Sequence, residues 1–171
     1  AAGAQACAER RFDQAVALLA QPPGETEEPH APGVAEAQVL RARALLGLDR
    51  RRAAAELVAP LLERPQPGAT APRVAPVTLC EARALNARTM LRGWAPCDLV
   101  IAETRATITA ARRLGAPARV AALEAVTDGA LAFARMRCRA SAERELAEAR
   151  STFGDDARLA AASAAVQLEF D

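Results

Sequence analysis

The stretch VAEAQVLRARALLGLDRRRAAAELVAPLLERP, residues 34–65, decides the fold because it predicts two helices joined by a tight turn. Mostly apolar or small residues recur every three or four positions in each half, which is the spacing of one helix face. These stripes are Val34, Ala37, Arg41, Ala44, Leu45 and Leu48, followed by Ala54, Leu57, Val58, Leu61 and Leu62. We expect Gly47 to take a left-handed turn, Asp49 to cap the second helix and Pro65 to end it. The stretch therefore predicts an antiparallel helix hairpin.

Helical periodicity continues through the rest of the chain and predicts about eight helices and no strand. Beyond the first hairpin, the predicted helices lie within residues 1–20, 77–91, 97–114, 118–136, 142–153 and 157–170. Two proline-rich stretches, residues 21–33 and 64–76, are predicted loops. Most other joints are short, which makes neighbouring helices antiparallel. Because each hairpin has an apolar face that it cannot cover alone, we expect the hairpins to stack in series within one domain, residues 1–171.

The composition agrees with closely packed helices. Alanine accounts for 46 of the 171 residues and aromatic residues for 3%, whereas a β-sandwich is rich in β-branched and aromatic residues. The net charge is +1, with arginines and acids interspersed, which argues against a nucleic-acid-binding stripe. Since no run of about 18 apolar residues occurs, we expect no membrane-spanning helix.

The four cysteines, Cys7, Cys80, Cys97 and Cys138, are far apart and form no CxxC pair, which disfavours a zinc site. Cys7, Cys80 and Cys138 fall within helical patterns, where cysteine usually acts as a small buried hydrophobic residue. We therefore expect a reducing, cytoplasmic setting. The chain begins with Ala1 instead of methionine, so we expect it to be a segment of a larger protein.

No catalytic motif is present. The single histidine, His30, lies in a proline-rich loop without a nucleophile motif, and the acids Glu25, Glu27 and Glu28 share that loop. The sequence contains no GxGxxG, GxxxxGK[ST], HExxH or GxSxG pattern. We therefore expect no enzyme activity, no catalytic residue, no cofactor and no metal.

The hairpin pattern resembles the tetratricopeptide repeat (TPR). The resemblance is clearest in the late hairpin, at Gly129, Ala130, Phe133, Ala142, Leu146, Ala149 and Gly154. The intervals from Ala15 to Ala53, to Asp98 and to Ala142 are 38, 45 and 44 residues, compared with about 34 in the standard repeat. These intervals are similar to the long repeats of bacterial signal-responsive transcriptional regulators and multidomain ATPases. The resemblance implies an all-α, right-handed α-solenoid of antiparallel hairpins.

The resemblance also implies a concave face, formed by the first helix of each hairpin, that binds a protein or peptide. Its expected lining residues are Gln38, Leu45, Arg83, Met90, Glu124, Thr127 and Leu131. Arg83 would pair with a ligand carboxylate through its planar fork, or else serve as an exposed helix charge. The alternative function is ligand sensing or self-association within a bacterial transcriptional regulator or signalling ATPase.

Two further features are left open by the sequence. Trp94, the only tryptophan, lies in a turn and is expected either to plug two helix ends or to stack on a ligand. The last predicted helix lacks an outer neighbour. We therefore expect it to form a homodimer contact through Leu159, Val166 and Phe170.

Overall fold

The computed structural model describes residues 33–63 and 74–171, which are all-α in architecture. Seven α-helices occur there, and no strand. They are α1 (Val34–Gly47), α2 (Arg51–Leu62), α3 (Pro76–Arg92), α4 (Cys97–Leu114), α5 (Arg119–Arg135), α6 (Arg139–Phe153) and α7 (Ala157–Leu168), with a 3-10 turn at Ala116–Ala118. The all-helical prediction is confirmed for this part of the chain, with seven helices instead of about eight. The helix predicted within residues 1–20 lies outside the described residues.

The ends of the helices follow local sequence signals. Helix α4 has the predicted ends, because Pro96 precedes it and Gly115, at φ 71°, follows it. The predicted loop 64–76 ends earlier than expected: Pro76 is already the first residue of α3, where a missing N–H costs nothing. Residues 64–73 of that loop, and residues 21–32 of the first loop, lie outside the described residues.

The same turn geometry joins the two helices of each hairpin, α1–α2, α3–α4 and α5–α6. A non-glycine residue takes a left-handed conformation in each turn, namely Asp49, Trp94 and Arg137, at φ values of 57°, 59° and 59°. The next N–H donates to a carbonyl five residues back, from Arg50 to Leu45, Ala95 to Met90 and Cys138 to Phe133. This is the Schellman helix ending. It corrects the expectation for the first turn, where Gly47 is helical and Asp49 is the left-handed residue instead of the cap.

Arginine side chains link the ends of consecutive odd-numbered helices. Arg92, the last residue of α3, donates to the carbonyl of Leu46 near the end of α1, at 2.7 Å. Arg135, the last residue of α5, donates in the same way to Leu91 of α3, at 2.5 Å. Each of these carbonyls also accepts from a turn N–H, from Asp49 to Leu46 and from Trp94 to Leu91, so the arginine supplies a second donor at the helix end. The odd helices are therefore tied together at the same end.

Helices contact only near neighbours in the described chain. Each helix packs against the next one, and each odd helix also packs against the next odd helix. The even helices α2, α4 and α6 do not pack closely against one another, and α4 and α6 meet through long side chains that form ion pairs. The central helix is α5, which packs against α3, α4, α6 and α7. Two core clusters occupy opposite ends of this arrangement. One joins α1, α2 and α3 around Leu45 and Val58, and the other joins α5, α6 and α7, with Ile108 of α4, around Leu123 and Leu159.

Helices α4 and α5 approach closely at a glycine. A Cβ atom built on Gly129 would lie 3.0 Å from Thr104 Oγ1 and 3.5 Å from Thr104 Cβ. Alanine-rich α5 therefore packs so closely against α4 that a methyl group added at Gly129 would press against Thr104. Among the described residues, no helix combines the length and the hydrophobicity that crossing a bilayer requires.

Candidate functional site

The residues expected to line one binding surface lie in different environments. Leu45 is 5% exposed and belongs to the core cluster of α1, α2 and α3, so the structure moves it from the binding surface to the core. Gln38, two turns earlier on the same side of α1, is half-buried. Neither residue offers the open surface that the expectation required.

The three expected residues on α5 do share one side of that helix. Thr127 and Leu131 are half-buried, and Glu124 is 9% exposed. The hydroxyl of Thr127 donates to the carbonyl of Leu123 and is thereby used within the helix. Val120, one turn before Glu124, is exposed on the same side. This side of α5 is therefore partly open and mostly apolar around one buried acid.

Arg83 and Met90 lie on another face of α3. Met90 lines an open depression that α2 and α3 share, and Arg83 is two turns before it on that side of the helix. Arg88 points the other way, toward α5, where it contacts Glu124 and Asp128. The expected groove therefore separates into two surfaces on opposite sides of α3.

Four charged side chains from three helices form an arginine–carboxylate cluster. Arg43 of α1 lies 3.0 Å from Glu124 of α5, measured from Nη2 to Oε2. Arg88 of α3 lies 3.4 Å from Glu124 Oε1, and its Nε is 3.2 Å from Asp128 Oδ2 and 3.3 Å from Oδ1. Glu124 and Asp128 are one helical turn apart. Two arginines thus balance two buried carboxylates.

The pair of Arg43 and Glu124 spans α3. Helix α1 and helix α5 both pack against α3 but not against each other. The ion pair therefore passes over α3 on the side where Arg88 also lies. We call this side of α1, α3 and α5, with Leu40, Arg43, Arg88, Val120 and Glu124, the odd-helix face.

Burial perturbs the ionisation of the cluster. Removal of Asp128 from water raises its pKa to about 6, although the charge and hydrogen bonds of Arg88 act in the opposite direction. Burial also works to lower the pKa of Arg88, but the two carboxylates outweigh it and the net pKa of Arg88 is raised. Because desolvation cancels much of the attraction in buried ion pairs, the cluster stabilises the fold less than its contacts suggest. Removing one member is costly, since it leaves a buried charge uncompensated.

The site predicted from the sequence did not include Arg43, Arg88 or Asp128. The sequence does hold a signal for the acids. Helix α5 is apolar or small on nearly every side, which is typical of a helix surrounded by others. Acids in such a helix are buried and need cationic partners.

Trp94 does not plug two helix ends. Its side chain is 77% exposed, and the guanidinium carbon of Arg135 lies 4.6 Å from the centre of its ring system. Such an exposed cation–π contact contributes about 0.5–1 kcal/mol. The plug interpretation is therefore wrong, and the ring is open to solvent in the turn between α3 and α4, beside the end of α5.

The last helix also differs from expectation. Leu159 and Val166 of α7 are 0% and 2% exposed within the cluster that α5, α6 and α7 form. Phe170 is half-buried, and the guanidinium groups of Arg137 and Arg139 lie 6.0 and 5.5 Å from its ring. The three residues expected to contact a second copy are thus engaged within the chain itself, and Leu159 and Val166 cannot serve as dimer contacts.

The described residues hold no group of three or more histidine, cysteine or acidic side chains placed to bind a metal ion. His30 and the acids at 25, 27 and 28 lie outside those residues. Comparison with known proteins identifies no relative, because no family model, no curated protein and no solved structure matches this chain.

Proposed function

We propose that this chain is a non-catalytic helical-repeat scaffold that binds a protein or peptide on the odd-helix face. In this proposal the hairpins stack as a right-handed, TPR-like solenoid. The odd helices form the concave side and the even helices the convex side.

The repeated turns support the stacked arrangement. Asp49, Trp94 and Arg137 are 45 and 43 residues apart, close to the 45 and 44 residues expected between successive hairpins. Helices that contact only near neighbours are typical of repeat proteins. The ion pair of Arg43 and Glu124 supports the curvature, because it requires α1 and α5 to approach each other above α3.

The observation that carries the binding proposal is an exposed apolar pair on the odd-helix face. Leu40 is 51% exposed and lies one turn before Arg43, and Val120 is 37% exposed and lies one turn before Glu124. Apolar contacts beside a charge-balanced cluster suit a partner with an apolar centre and a polar edge. Such a partner covers Leu40 and Val120 and leaves the ion pairs intact.

Site-specific photo-crosslinking in the source cell tests this proposal. A photoreactive amino acid at Leu40 or Val120 should capture the same partner at both positions. The control position is Ala147, an exposed residue on α6 away from this face. When the photoreactive residue is at position 40, a second change, Val120→Glu, should abolish the crosslink, because it places a charge in an apolar contact. Equal capture at Ala147, or none at Leu40 and Val120, contradicts the proposal.

The same experiment separates the alternative function, a sensing or self-association segment of a transcriptional regulator or signalling ATPase. Self-association predicts that the captured species is a second copy of this chain, identified by its mass. A partner with a different sequence favours the scaffold function.

A further inference from the structure

A second surface lies between α2 and α4, on the side of α3 away from the odd-helix face. Both helices pack against α3 but not against each other. The side of α3 between them carries Leu79, Arg83, Asn86 and Met90, at the four-three-four spacing of one helix face. All four are half-buried, so they are neither core residues nor an open helix surface. We call this region the α2/α4 seam.

The spacing of residues along α4 indicates which of them form one wall of the seam. Leu99, Glu103, Ala106 and Ala110 share the flank of α4 opposite Arg105 and Arg112, which pair with α6. An open depression of about 470 Å³ occupies the Met90 end of the seam. Its lining residues are Arg51, Arg52, Ala55, Asn86, Thr89, Met90, Gly93 and Ala95.

The corresponding seam between α4 and α6 is closed by ion pairs. Arg112 lies 2.7 Å from Glu148, and Arg105 lies 3.7 Å from Glu145. Among the described residues, no hydrogen bond or ion pair joins α2 to α4 in this way. The two seams are therefore alike in position, but within residues 33–63 and 74–171 ion pairs cross only the one between α4 and α6.

We propose that the α2/α4 seam binds an amphipathic helix that presents apolar side chains and one carboxylate. The partner is a helix because the walls and floor are helices, whose backbone groups are already paired and offer no edge for an added strand. Helix α4 has 18 residues, so a partner helix of about 14–18 residues matches its length.

Charge complementarity assigns the carboxylate. Arg83 forms no ion pair with a described residue, and no acid lines the depression. The two arginines on its rim, Arg51 and Arg52, are already paired with Asp49 and Glu56. Among the described residues, Arg83 is therefore the cation of this side that is open to a partner's acid.

Arg83 is half-buried on the same side of α3 as Leu79 and Met90, and partial burial strengthens a bidentate contact between a guanidinium and a carboxylate. Glu103 on the opposite wall disfavours a second acid there, so the proposal fixes where the partner's acid lies.

A displayed library of 18-residue amphipathic helices with randomised apolar-face positions tests this inference. Selection against the intact chain should enrich helices with large apolar residues and one acid. The sole tryptophan, Trp94, lies between two residues that line the depression, so its fluorescence should change on binding.

Variants then locate the bound helix. Arg83→Gln should weaken binding of an acidic helix about tenfold, and Glu103→Gln should leave it unchanged or strengthen it. Arg144→Gln, an exposed change on α6, is the matched control. When the partner's acid is replaced by its amide, Arg83→Gln should have no further effect. Circular dichroism confirms that each variant folds.

Three results would overturn the inference. They are selected helices without an acid, equal effects of Arg83→Gln and Arg144→Gln, and no binder with Kd below about 100 µM. Because the seam and the odd-helix face lie on opposite sides of α3, Val120→Glu should not alter this binding. The inference can therefore fail while the proposed scaffold function stands, and the reverse also holds.

Discussion

The residue that departs furthest from its ordinary chemistry is Asp128. It is 3% exposed, and burial raises its pKa to about 6 despite contact with Arg88. Glu36 is the opposite case, because hydrogen bonds from its own N–H and from Thr78 Oγ1 lower its pKa. The two acids therefore respond to pH with opposite signs.

Asp128→Asn should flatten the pH dependence of stability between about pH 4 and pH 7. Folded Asp128 binds a proton more tightly than unfolded Asp128, so its contribution is complete below the unfolded pKa of about 3.9 and is lost as pH rises through about 6. The loss is about 2–3 kcal/mol for a shift of about two units. Urea unfolding of both proteins at pH 4, 5, 6 and 7 measures it. The stability difference between wild type and variant should fall with pH, and a constant difference would contradict the prediction.

Glu36→Gln is the matched control, because its effect on the pH dependence of stability should have the opposite sign. Folded Glu36 has a lowered pKa, so its contribution is present above the unfolded pKa and is lost as pH falls through the folded pKa. The stability difference between wild type and Glu36→Gln should therefore rise with pH. Parallel curves for the two variants would show that the pH response does not come from these sites.

At the scale of the element, α5 is limited by its contact with α4. Alanine is about 1 kcal/mol more favourable than glycine inside a free helix. At Gly129, however, the added methyl group would lie 3.0 Å from Thr104 Oγ1, which also donates to the carbonyl of Ile101. Packing therefore opposes intrinsic helix propensity at this position.

Gly129→Ala should destabilise the wild type by about 1 kcal/mol, because overpacking outweighs the gain in propensity. In a Thr104→Ala background the nearest atom is gone, so the same change should be neutral or stabilising. A double-mutant cycle by urea unfolding should give a coupling free energy of at least about 0.5 kcal/mol. Additive effects would mean that α4 and α5 move apart at this crossing and make room for the methyl group without a cost in free energy.

The sequence predicts the elements better than their connections. Helical periodicity is local, so both ends of α4 follow from Pro96 and Gly115. The left-handed turn residues are harder to predict from the sequence, because Asp49 and Trp94 occupy positions where glycine is the usual signal. The arginine–carboxylate cluster was missed since its partners come from three helices. Which faces of those helices meet is decided by packing, not by spacing along one of them.

At the scale of the whole molecule, the proposed stacking of the hairpins has consequences for cooperativity. Among the described helices, α7 packs only against α5 and α6, and α1 packs only against α2 and α3, apart from the ion pair of Arg43 with Glu124 of α5. The two end clusters share no residue. In a repeat protein, stability is close to a sum of local and nearest-neighbour contributions, so damage at one end should not spread evenly.

Native-state hydrogen exchange of the Leu159→Ala variant tests whether damage at one end stays local. Leu159 is 0% exposed, so the change should cost about 2–5 kcal/mol in its own cluster. Amides of α5, α6 and α7 should lose protection, while those of α1 and α2 keep theirs. Leu45→Ala at the other end should give the reciprocal pattern, since Leu45 packs only with α1, α2 and α3. If both variants lower protection equally throughout the described helices, the chain unfolds as one closed core. The stacked solenoid, and the two faces that depend on it, would then be wrong.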